Sequence, residues 1–113
     1  MTKAKFNFGD YGLSSFEISG HSGYSNYGSD IVCSSITTAV FTTLNLLDKM
    51  FPEHYELVQD EKKGYIKCVI NFDYQNGERS SFLAVIIQNL IDVLSNIEGE
   101  YPKHLQVIIN KAK

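Results

Sequence analysis

Apolar and polar side chains alternate over residues 3–8, with Ala4, Phe6 and Phe8 on one side and Lys3, Lys5 and Asn7 on the other, which predicts a half-buried strand. Gly9-Asp10-Tyr11-Gly12 carries turn chemistry, and residues 13–19 resume the strand with Phe16 and Ile18 turned inward, so a hairpin is expected. The pattern then lapses until residue 31. From there Val32, Ile36, Ala39, Val40, Leu44, Leu47 and Phe51 recur at spacings of three and four, predicting a helix over 31–51 that stops before Pro52.

Two further strands are expected over 54–60 and 64–72, joined by the charged turn Glu61-Lys62-Lys63, with Ile66, Cys68, Ile70 and Phe72 on one face of the second. Leu83, Ile86, Leu90, Val93, Leu94 and Ile97 form the buried stripe of a second helix over 78–98, with Gly99 placed to end it. After Pro102, residues 105–109 form a last strand with Leu105, Val107 and Ile109 inward. The order strand, strand, helix, strand, strand, helix, strand predicts an α+β fold, a mixed sheet of about five strands with two helices packed on one face.

At 113 residues the chain is expected to be a single domain over 1–113. Its net charge of −3 and ten scattered Lys and Arg give no footprint for nucleic acid, so no direct nucleic-acid binding is expected. A mildly acidic surface tolerates a basic peptide or protein partner instead. Residues 1–5 lack the apolar stretch of a secretory signal, and no apolar run reaches the length of a membrane span, so a cytoplasmic protein with no membrane partner is expected. In that reducing setting the two cysteines read as one reactive and one structural thiol rather than a disulfide.

The candidate chemistry lies where the periodicity lapses. Residues 19–30 form a polar loop rich in Gly, Ser and Tyr that runs straight into the first helix, with Ser29 or Asp30 as its N-cap. Cys33 therefore falls in the first helical turn, where unpaired N–H groups and the positive end of the helix dipole favour the thiolate, the nucleophilic form. His21 lies on the loop, within reach if the loop folds back over the helix end. A lone cysteine on an apolar helix is more often a small core residue. First-turn position, the adjacent loop and the nearby histidine argue otherwise for Cys33, whereas Cys68 alternates with Ile66 and Ile70 and reads as core. His54 and His104 have no obvious partner in the sequence and read as surface residues.

Asp30 has two candidate roles, capping the helix or orienting His21, and capping is favoured. The glycines of the loop fit neither a serine nucleophile elbow nor a phosphate-binding template. His21, Asp30 and Cys33 would make a metal set of only three mixed ligands, so no metal and no cofactor are expected. Gly20, Ser22, Gly23, Tyr24, Tyr27 and Gly28 form the candidate substrate loop, with the two tyrosines as adaptable contacts for a peptide or a partner surface. A non-catalytic peptide- or protein-binding module using this Gly/Tyr-rich loop is the rival reading.

Gly20-His21, Gly28, Asp30 and Val32-Cys33 at these spacings resemble the signature of the ribosomal-processing cysteine protease family, Prp. Ser22 and Ser34 stand where that family usually has Ala. The resemblance implies a cytosolic cysteine endopeptidase with a Cys33–His21 pair, which removes the N-terminal extension of a bacterial large-subunit ribosomal protein. Helix-start N–H groups of Cys33 and Ser34 are the obvious oxyanion donors. The family also looks homodimeric.

Overall fold

A computed structural model describes residues 1–26, 30–74 and 77–112. The chain runs β1 (Thr2–Phe8), β2 (Leu13–Ser19), α1 (Ile31–Met50), β3 (Tyr55–Asp60), β4 (Tyr65–Ile70), α2 (Gly77–Glu100) and β5 (Leu105–Lys111). The strands form one sheet in the order β3-β4-β2-β1-β5. Every neighbouring pair is antiparallel except β1 with β5, which run parallel from Thr2 opposite Leu105. The expected α+β architecture is therefore observed.

The register follows from the alternation. Ala4 lies opposite Ile18 and Phe6 opposite Phe16, while Phe16 and Ile18 meet Cys68 and Ile66 on β4. Ala4, Phe6, Phe16 and Cys68 are all fully buried and join the stripes of both helices, Val32, Ile36, Val40, Leu44 and Leu47 from α1 and Leu83, Ile86, Ile87, Leu90 and Leu94 from α2. Shifting any strand by one residue would turn these side chains to the opposite face, so the core pins the register.

The expected helix ends need adjustment. Gly99 does not end α2, and its backbone is not left-handed. The helix runs on to Glu100 because the Tyr101 N–H still reaches Ile97 O at 2.8 Å, and the stop is Pro102, which has no N–H to give. Phe51 is the C-cap of α1 rather than its last residue, and Phe72 leaves β4 to pack against Phe51 and Tyr74. The expectation that no apolar run reaches the length of a membrane span also needs correction. By length and composition α1 and α2 are both apolar enough to cross a bilayer, with mean hydropathy 1.4 over their best windows. Their stripes are instead occupied by the sheet and by each other.

Candidate active site

The site is assembled where β2 leaves the sheet. Gly20 makes the exit possible: its φ is +85°, and a Cβ there would stand 2.6 Å from Met1 O at the start of β1. The chain passes over that carbonyl and presents His21, which is exposed, before turning back toward α1.

Asp30 is the hub of the return. It is the N-cap of α1, with extended backbone, and its Oδ1 accepts the Cys33 N–H at 2.9 Å. Its Oδ2 accepts from the Ser22 hydroxyl, from Tyr24 N–H at 3.2 Å and from Ser25 N–H at 3.4 Å. Burial alone would raise this carboxyl, but the hydrogen bonds from Ser22, Cys33, Ser25 and Tyr24 outweigh it and hold Asp30 below the ordinary aspartate range. Capping is thus the observed role. No described hydrogen bond joins Asp30 to His21.

The same hub corrects the expected oxyanion donors. The Cys33 N–H is taken by Asp30 Oδ1, and the Ser34 N–H by Asp30 O at 3.0 Å in the first helical bond. Neither is left over for a substrate oxygen. The Ser34 hydroxyl is likewise turned back on Ile31 O.

Ser22, expected as part of the substrate loop, is an anchor of that loop. It is 1% exposed, bonded through its hydroxyl to Asp30 and through its carbonyl to His104 Nδ1 at 2.9 Å. Tyr24 sets its ring edge-on to both Tyr101 and His104, with centroids 5.3 Å apart in each case. His104 is therefore part of the loop's support rather than an unpartnered surface histidine, and His54 also has partners, in Asn71 O and the Phe72 ring. Tyr27 and Gly28 lie outside the described residues, and Gly23 lines the outer cleft.

His21 and Cys33 are brought together. Both line a cavity of about 180 Å³ walled by Ile18, Ile36, Phe41 and Tyr65. Both also line a larger cleft, about 530 Å³, together with Ser25, Ser34 and Thr38. Thr37, one helical turn beyond Cys33, borders both spaces. The pair thus stands at the junction of two recesses, a place where an extended chain could lie across it. Among the described residues no hydrogen bond connects the two side chains. Cys33 is a half-buried free thiol; Cys68 is fully buried, and burial pushes its thiol up to about 12. Among the described residues no group of three or more His, Cys, Asp or Glu side chains gathers as a metal site.

A small α+β fold that brings a helix-start thiol and a histidine to the lining of one cleft has the outline of a thiol hydrolase. The model of the cysteine protease Prp family matches residues 1–106. The chain belongs to that family and is a cysteine protease. It is 28% identical over 103 residues to the ribosomal processing cysteine protease Prp of Bacillus subtilis, covering 89% of each chain. To the protein of the same name from Staphylococcus aureus it is 26% identical over 88 residues, covering 78% of each. Among solved structures it is similar to the essential ribosomal processing protease Prp of S. aureus with a covalently linked product peptide, at TM-score 0.83 and 23% identity over 97% of this chain and all of that one. The same S. aureus protease with a substrate peptide gives TM-score 0.78 and 22% identity, again over 97% and 100%.

Proposed function

We propose that Cys33 is the nucleophile and His21 its acid–base partner in removing the N-terminal extension of a bacterial large-subunit ribosomal protein. The observation that carries this is the joint placement of His21 and Cys33 at the junction of two recesses, on a cleft whose loop is anchored to the cap of the nucleophile's own helix. His21 takes the thiol proton, and the Cys33 sulfur adds to the scissile carbonyl carbon. Collapse of the tetrahedral adduct breaks the C–N bond as the imidazolium protonates the leaving amine, giving an acyl-enzyme and the shortened protein. Water, deprotonated by His21, then releases the extension peptide and restores the thiol.

Ribosomal processing, as substrate, is supported by the names of the B. subtilis and S. aureus relatives. A cytosolic site of action is supported by the two thiols being free. A homodimer is supported by apolar side chains left more than a third exposed on the helices, Phe41, Leu46 and Met50 on α1 and Phe82 and Val85 on α2.

The test is to incubate the chain with the extended ribosomal protein and weigh the products. Cleavage by the native chain, abolished in both Cys33→Ala and His21→Ala, is the expected result. Turnover surviving either substitution in a folded protein would overturn the assignment.

A further inference from the structure

His104 lies 82 positions from Ser22, in the turn between α2 and β5, yet its Nδ1 stands 2.9 Å from the Ser22 carbonyl oxygen. A carbonyl can only accept, so Nδ1 carries the proton and donates. We propose that His104 is a positioning residue of the active site: through the Ser22 carbonyl it fixes the residue next to His21 and so keeps the imidazole at the Cys33 end of α1. This inference rests on the reading of His21 and Cys33 as the reacting pair.

Three observations converge on it. Ser22 is a buried polar residue held from two directions, by Asp30 on its hydroxyl and His104 on its carbonyl, so its place is fixed relative to both the helix start and the sheet. His104 is itself braced: its N–H donates to Tyr101 O at 2.9 Å, and its carbonyl accepts the Thr2 N–H at 3.0 Å where β1 and β5 begin their parallel pairing. The His104 ring also carries the edge contact with Tyr24, two residues further along the loop. A loop with few apolar anchors thus takes its position from the rigid end of the sheet. Asp30 alone would tie it only to the helix that bears the nucleophile.

The discriminating variants are His104→Phe, which keeps a ring for Tyr24 but has no donor, and His104→Asn, whose amide places an N–H near the same point. Their kcat and KM are measured on a synthetic peptide spanning the ribosomal-protein extension and cleavage site, alongside native chain, Cys33→Ala and His21→Ala. Thermal melts identify the folded variants. His104→Phe is expected to lose roughly 10–100-fold in kcat with KM within a factor of about two, because a small misplacement of a reacting group is enough for such a loss. His104→Asn is expected to recover most of it. Native kcat in folded His104→Phe would overturn the inference, as would equal loss in the Phe and Asn variants. Should His104→Phe not fold, His104→Asn against His104→Asp gives the same contrast, a donor against an acceptor, and equal rates would overturn it. If His21→Ala or Cys33→Ala retains cleavage, it is the reading of the pair that fails, a result separate from any effect at His104.

Discussion

His21 lies over Gly64: a Cβ built on Gly64 would stand 2.9 Å from His21 Cε1 and 3.2 Å from Nδ1, and 2.9 Å from Gly20 O. Tyr65 pairs with Ser19, so the residues just outside that pair, Gly20 and Gly64, meet where β2 and β4 part. Gly64 also closes the β3–β4 turn with φ +59° and an N–H to Glu61 O at 3.1 Å. The absence of a side chain at Gly64 is what lets the imidazole settle there.

Gly64→Ala is therefore expected to displace His21. A left-handed backbone costs a non-glycine residue about 1–2 kcal/mol, which lowers the melting temperature but leaves the chain folded at 25 °C. Activity is expected to fall by more than that strain explains, ~10-fold or beyond, through the misplaced ring. Cleavage assayed where melts show the variant folded checks this, and native turnover there would show that the ring accommodates the methyl group.

The two thiols are expected to separate cleanly. Cys68 is fully buried and pushed up to about 12, so near neutral pH iodoacetamide should modify Cys33 alone, with Cys68 following only in denaturant. Cys68→Ala should keep turnover and cost roughly 1–2 kcal/mol for the small void it leaves. Peptide mapping after timed alkylation reads the first result and denaturant melts the second. Equal labelling of both cysteines in the native chain would contradict the packing of β4.

Asp30 gives a pH dependence with a definite sign. Its carboxyl is held below the ordinary aspartate range, so the unfolded chain takes up that proton more readily than the folded one. The stability it contributes is present above the unfolded value and is lost as pH falls through the folded one. Asp30→Asn should cost ~1–2 kcal/mol at neutral pH by weakening the cap and the Ser22 bond. The gap in melting temperature between variant and native chain should then narrow as the solution is acidified into that window. A gap constant down to the most acid condition would mean that the charge on Asp30 does not contribute.

The fold was legible because its signals are local. Alternation in β1, β2 and β4 and three-four spacing in α1 and α2 each state which face is buried. The misplaced stop at Gly99 was a helix-compatible glycine with a stronger breaker, Pro102, three residues on. The capping of α1 by Asp30 was legible for the same reason, being a contact across three residues. Ser22 and His104 were not. Their bond spans 82 positions and depends on the parallel pairing of β1 with β5, which no local pattern announces. The competition for the Cys33 and Ser34 N–H groups was also hidden, because a cap and an oxyanion hole draw on the same donors and sequence cannot show which holds them.

Tyr24 separates support from substrate contact. The sequence offers it as an adaptable surface for a peptide, but its ring already meets Tyr101 at 81° and His104 at 82°, edge-on in both cases, while remaining 44% exposed. Such ring contacts are worth about 0.5–1.5 kcal/mol each, and here they hold the stretch whose Tyr24 and Ser25 N–H groups donate to Asp30. Among the described residues the contacts of Tyr24 are made by its ring and its N–H, so Tyr24→Phe should keep both amide protection and cleavage. Tyr24→Ala should speed exchange at the Tyr24-position and Ser25 amides and lower kcat/KM, with the melting temperature of the core little changed because the loop lies outside it. Hydrogen exchange resolved by residue, paired with peptide cleavage, reads both effects. Faster cleavage loss in Tyr24→Phe than in Tyr24→Ala would assign the residue to substrate through its hydroxyl and remove it from the loop's support.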